Sequence, residues 1–227
     1  MNGHAETGSP RCAGNRWTSA AALIMSIVTL LMVGAQSCLA QAPPGTLTTA
    51  PHTTVSGLSK GAWELSLATG YTYSFRRTDA HETKLRGIPV ILGGGIVATD
   101  PIGASWYRGQ ITVGAEAAFI QYTEPLTAYF TALTPTVKYV FLPGGRLRPY
   151  LEAGAGVVWT DLGGRIPEKG SQFNFNLQVG VGLSFLFTPT SSLNLSYRFQ
   201  HVSNAGTAEP NQGIDAGVVL IGVSRFF

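Results

Sequence analysis

Residues 173–187 read Phe-Asn-Phe-Asn-Leu-Gln-Val-Gly-Val-Gly-Leu-Ser-Phe-Leu-Phe. Every odd position carries a large apolar side chain, while 174, 176, 178, 180, 182 and 184 are Asn, Asn, Gln, Gly, Gly and Ser. Successive side chains of a strand point to opposite faces, so this stretch is one strand with an apolar face and a small, polar face. It is also much longer than the five or six residues usual in soluble proteins. The pattern recurs from Trp63, where Trp63, Leu65, Leu67, Tyr71, Tyr73 and Phe75 oppose Glu64, Ser66, Ala68, Gly70 and Ser74. Further strands fit 84–97, 107–122, 127–141, 147–160, 191–204 and 213–227, which makes eight.

Two packings suit such strands: a soluble sandwich with the apolar faces inside, or a membrane barrel with them outside. The small-polar face decides between them, because it also carries Glu64, Glu116, Lys138, Arg148, Glu152 and Arg198. A narrow barrel can neutralise these charges against one another in its lumen, which a sandwich core cannot do cheaply. The expected fold is therefore all-β, an eight-stranded antiparallel transmembrane β-barrel over 61–227. Pro143-Gly-Gly-Arg146 and Thr188-Pro-Thr-Ser191 supply tight turns at one end; 76–83 and 161–170 supply longer, more polar loops at the other. The connection 98–106 is long for the tight-turn end. Val219, Ile221 and Val223 lead at alternate positions to a terminal Phe227, as in barrels exported to a bacterial outer membrane.

The beginning of the chain agrees with export. Arg11 and Arg16 precede an apolar run from Ala20 to Ala35, and small residues Cys38 and Ala40 stand before Gln41, the layout of a cleaved signal peptide over 1–40. Residues 41–60, rich in Pro, Thr, Ser and Gly, read as a flexible lead-in. Both cysteines, Cys12 and Cys38, fall in the leader, so the mature part has neither a disulfide nor a thiolate nucleophile. The formal charge is +3 with scattered basic residues, which is not the balance of a nucleic-acid binder. No metal-ligand spacing is present. His52 and His81 have no partners nearby in sequence, and Gly93-Gly94-Gly95 suits close packing better than phosphate binding.

Chemistry concentrates in the last two strands. His201 and Ser203, at i and i+2, share the face of Leu193, Leu195, Tyr197 and Phe199. A hairpin centred near Ala208 brings Asp215, on the face of Gly217, Val219 and Ile221, across from His201. A nucleophile, a base and an orienting acid then meet on the apolar face. With about 2.5 Å of height per residue of tilted strand, His201 stands about 25 Å above the base of its strand, at one boundary of an apolar band about 25 Å tall. Polar side chains kept on a lipid face at that depth point to a function.

His201-Val-Ser203-Asn204-Ala205-Gly206 and Asn211-Gln-Gly213-Ile-Asp215 resemble the signature of the outer-membrane lipid A 3-O-deacylases, the PagL type. The resemblance implies Ser203 as nucleophile, His201 as base and Asp215 as acid, where the best-known members carry glutamate. It also implies oxyanion or supporting roles for Asn204, Asn211 and Gly206, a lipopolysaccharide substrate in the outer leaflet and no cofactor. A homodimer is left open. The rivals are a non-catalytic structural or lipid-binding barrel and a phospholipase-like barrel. The mature chain is expected to start at Gln41; N-terminal sequencing of protein from outer membranes checks this, and an uncleaved leader refutes it.

Overall fold

The computed structural model describes residues 58–75 and 83–227. The expected leader, nearly all of the lead-in, His52, His81 and most of the loop 76–83 lie outside the described residues. Among those described, eight strands run in chain order: β1 (Trp63–Ser74), β2 (Arg86–Val97), β3 (Gly109–Glu124), β4 (Ala128–Phe141), β5 (Leu147–Thr160), β6 (Phe173–Thr188), β7 (Ser191–Ser203) and β8 (Ile214–Phe226). Each pairs antiparallel with its neighbours, and β1 pairs with β8 from Glu64↔Phe226 to Ser74↔Ala216, closing the sheet into a barrel. Closure leaves no sheet edge in hydrocarbon, where an unpaired backbone group is costly.

Alternation assigns the two faces. Leu177, Val179, Val181, Leu195 and Ile221 are exposed on the outside. Inside, Lys138 donates to both oxygens of Glu64 at 2.7 and 2.6 Å. Arg198 forks between two carboxylates, with Nε and Nη2 on Glu152 at 2.5 and 3.1 Å and Nη1 and Nη2 on Glu116 at 2.7 and 2.8 Å. The inward charges expected from the pattern are thus paired, and Arg148 is buried among them. Gly180 leaves room for this: a Cβ there would stand 2.8 Å from Arg198 Cγ.

One end of the lumen departs from the expected polar filling. Leu85, Ile120, Tyr122, Phe130, Val158, Val202 and Ile214 form a buried apolar cluster with Leu162 and Ile166 of the β5–β6 loop. The loop turns its apolar residues down into the barrel mouth, so the inward positions at that height can be apolar too. At the other end, the long connection 98–106 folds back on the sheet. Ile102 and Gly109 exchange backbone hydrogen bonds of 2.8 and 2.9 Å, and Ser105–Tyr107 form one 3₁₀ turn.

Arg198→Met strands two carboxylates in the lumen. We expect a loss of about 3–5 kcal/mol, as for other broken buried ion pairs. Thermal melts followed by gel mobility read this loss, and adding Glu116→Gln and Glu152→Gln should recover most of it.

Candidate active site

The hairpin β7–β8 fixes its residues by register. His201 pairs directly with Asp215 and Phe199 with Gly217, while on the other side Leu177 pairs with His201 and Phe175 with Ser203. Pairing of β7 with β8 ends at Val202↔Ile214, so Ser203 is held in the sheet by β6 alone. His201 Nδ1 lies 2.6 Å from Asp215 Oδ1. A carboxylate only accepts, so Nδ1 carries the proton and Nε2 is the free base. The imidazole is about one-third exposed and the carboxylate buried. Ser203 is half-buried, and among the described residues its Oγ makes no hydrogen bond. Its position at i+2 leaves it on the same face as the free nitrogen.

Aromatic rings cross β8 beside the carboxylate. Phe75 of the β1 side and Phe199 of β7 stand 5.8 Å apart, and the hydroxyls of Tyr73 and Tyr197 meet at 3.5 Å. The tyrosine pair spans β8 because Gly217 has no side chain; a Cβ there would stand 2.7 Å from Tyr73 Cζ and 2.9 Å from Tyr197 Oη. The backbone N–H of Phe75 donates to the Asp215 carbonyl at 3.0 Å, extending the closing ladder up to the acid. Asp215 itself is buried although its position in the alternation faces outward.

The loop 204–213 is organised by Asn204, which is fully buried. Its Oδ1 accepts from Gly206 N at 2.9 Å and its Nδ2 donates to Ala208 O at 2.7 Å. The Asn204 backbone N–H donates to Asn211 Oδ1 at 3.0 Å. Anchoring the oxygen end of Asn211 leaves its Nδ2 as a donor. Gly206 turns the loop at φ +79°. Gly213 turns it back at φ +73°, and a Cβ there would lie 2.8 Å from His201 Cε1. Glu209, the carboxylate of this loop, is exposed.

The sequence marks the β5–β6 loop only as long and polar, and singles out no residue in it. Glu168 accepts from Thr83 N at 2.5 Å and Thr83 Oγ1 at 3.0 Å. Lys169 is fully buried, its Nζ donating to Val202 O at 2.6 Å and Asn174 Oδ1 at 3.0 Å. Burial pushes this amine down to about 8, against the opposing influence of Glu168. A lysine in a polar loop reads from sequence as solvated; only the fold turns it inward.

The family model described as lipid A 3-O-deacylase (PagL) matches residues 47–224. The chain belongs to this family. Among individual relatives, "Lipid A deacylase PagL" of Pseudomonas aeruginosa is 30% identical over 120 residues, covering 49% of this chain and 66% of that protein. Its namesake in Bordetella bronchiseptica is 42% identical over 69 residues, covering 30% and 36%. The chain therefore spans just under two thirds of the first relative and about a third of the second. The crystal structure of Neisserial surface protein A has a TM-score of 0.54 at 16% identity, covering 74% of this chain and 100% of that one, and shares the fold. A PagL-family barrel of this kind is a bacterial outer-membrane protein.

Gly213→Ala should keep the barrel, since the residue lies outside the sheet. Strain at positive φ and the contact with the imidazole should together cost activity about tenfold or more. Wild-type turnover on lipid A would show that the His201 ring is not held from this side.

Proposed function

We propose that this chain is a serine esterase that hydrolyses the ester-linked acyl chain at position 3 of lipid A, from the outer leaflet. The observation that carries the reading is the 2.6 Å bond between His201 Nδ1 and Asp215 Oδ1, with Ser203 two residues on along the same outward face. In a chain of this family, that constellation stands at the loop end of the barrel, at the depth of the ester bonds of an outer-leaflet glycolipid. Residues 1–40 serve as the secretory leader, and 61–227 form the working barrel.

His201 Nε2 takes the proton of Ser203 Oγ as that oxygen attacks the ester carbonyl. Asp215 holds the ring and stabilises the imidazolium that forms. The developing oxyanion is met by Asn211 Nδ2, which the Asn204 N–H orients by holding Oδ1. Asn204 itself acts in support, because its amide is engaged by Gly206 and Ala208, and Gly206 shapes the turn. Collapse of the tetrahedral intermediate breaks the bond to the sugar oxygen, which leaves with the imidazolium proton. Water, deprotonated by His201, then attacks the acyl-serine, releasing the free fatty acid and restoring Ser203. The leaving acyl chain remains against the apolar outer face throughout.

Ser203→Ala and His201→Ala should each lower turnover by about 10³-fold or more while the barrel still assembles. Asp215→Asn should be severely impaired, by about 10³-fold or more, because the neutral amide cannot stabilise the imidazolium. Asp215→Glu should retain substantial activity. Mass spectrometry of purified lipid A treated with each variant in detergent reads the series, with folding checked by gel mobility. Full activity of Ser203→Ala refutes the nucleophile, and release of fatty acid from glycerophospholipid instead of lipid A refutes the substrate. The mass of the detergent-solubilised barrel distinguishes monomer from homodimer.

A further inference from the structure

We propose that Lys169 is a positioning residue for this hydrolysis, its buried ammonium pinning the Val202 carbonyl from inside the barrel so that His201 and Ser203 keep their geometry outside. This rests on the deacylase reading above. The nucleophile is the final residue of β7 and has ladder support on one side only, the last pair with β8 being Val202↔Ile214. Strand ends with few backbone partners open at little cost. Catalysis needs the reverse, because displacing a reacting group by about 1 Å costs on the order of 10²-fold.

Lys169 supplies the missing restraint. Its Nζ reaches the carbonyl between the two catalytic residues at 2.6 Å. The second acceptor, Asn174, is itself fully buried and anchored through Nδ2 to the Ser171 and Gln172 carbonyls, which aims Oδ1 at the lysine. The backbone around Lys169 is also tied to the loop that carries Asn211. Gly170 N donates to Pro210 O at 2.8 Å and Gln212 N to Glu168 O at 3.2 Å, bracketing an antiparallel bridge between Lys169 and Asn211. Gly170 lies so close to Glu209 that a Cβ would run into its carbonyl oxygen. One residue thus connects the base, the nucleophile and the oxyanion donor. A fully buried cation is costly unless well bonded, so packing alone is a poor account of it.

The charge makes this testable. Charge-assisted hydrogen bonds are about twice as strong as neutral ones, and this amine gives up its proton above about 8. Of the charged groups on the surrounding elements, Glu168 favours the ammonium and is held by Thr83, Arg165 is turned to Asp161, and Glu209 is exposed. His201 and Asp215 lie on the opposite face of the sheet, while β6 and β7 offer Asn174 and the Val202 carbonyl. Turnover should therefore fall as pH rises through about 8. Stability should move the other way. Burial holds the folded-state value below the ordinary 10.5, so between the two values the unfolded chain binds more protons and rising pH favours the folded barrel.

The experiment is kcat and KM against pH for the full chain in detergent with lipid A, comparing wild type, Lys169→Met, Lys169→Arg and Ser203→Ala. Folding is followed by gel mobility at each pH. Wild type should lose turnover reversibly above about pH 8 while still folded. Lys169→Met should lose about 10²-fold in kcat with KM within about threefold, and should show no fall above pH 8. Lys169→Arg should recover part of kcat and hold it to higher pH, because a guanidinium stays charged. A methionine variant within about threefold of wild-type kcat, or one that keeps the alkaline fall, overturns the assignment. If Lys169→Met does not assemble, the arginine and wild-type profiles decide, and an unshifted or absent alkaline fall overturns it. If wild type and Ser203→Ala are equally inert on lipid A, the deacylase reading fails and this inference fails with it.

Discussion

Closure of the sheet between β1 and β8 is the constraint on which everything else depends. In hydrocarbon each strand must satisfy its backbone on both sides, so β8 has to lie between β1 and β7 along its length. That ladder runs to Ser74↔Ala216 and gains one more bond from Phe75 N to Asp215 O. Asp215 is therefore held from the closing side of the barrel, while His201 meets it from the hairpin side through His201↔Asp215. The aromatic bridge over Gly217 depends on the same closure, since Tyr73 and Phe75 reach Tyr197 and Phe199 only when β1 and β7 flank one strand.

The period-two pattern carried the fold almost completely. The expected strand limits fall within about two residues of those observed, because a membrane barrel forces large apolar and small polar residues into strict alternation. The pairing of His201 with Asp215 was legible for the same reason: i and i+2 share a face, and a hairpin loop places the next strand opposite. Contacts between loops distant in sequence were not legible. Lys169 is 33 positions from Val202 and looks like any solvated loop lysine. The apolar filling of the barrel mouth was missed because Leu162 and Ile166 lie in a loop read as polar. Asn204 and Asn211 were suggested by a motif, but which amide end of each is engaged depends on the loop's folded path.

Asp215 carries the shorter of the two carboxylate side chains, and its surroundings give this a physical setting. Direct opposition across an antiparallel pair brings the side chains of His201 and Asp215 to about 5 Å between Cβ atoms, near enough for a short carboxylate to close the 2.6 Å bond. A longer carboxylate would have to fold back to make the same bond. The His201 ring occupies the place that a Cβ on Gly213 would take, so any larger residue there would press on Cε1.

A barrel wall is one strand thick, and this has a consequence for any chemistry on its outside. His201 and Ser203 face lipid, yet the residue between them, Val202, faces the lumen and belongs to the apolar cluster together with Ile214, the inward neighbour of Asp215. The rigidity of the outer site is thus set by packing on the inner side. Lipid tails are fluid and restrain nothing, so a site on the outer face can be preorganised only through its own strands and whatever presses on them from within. The barrel meets this requirement by changing its filling with height. Ion pairs occupy the lumen around Arg198, and the apolar plug of Leu162 and Ile166 begins at the rows of Val202 and Ile214, beside His201, Ser203 and Asp215. Charged side chains with water between them would leave those rows less well packed, whereas close-packed apolar groups resist displacement. The loop that fills the mouth therefore helps to shape the proposed active site from the side opposite the one that faces lipid.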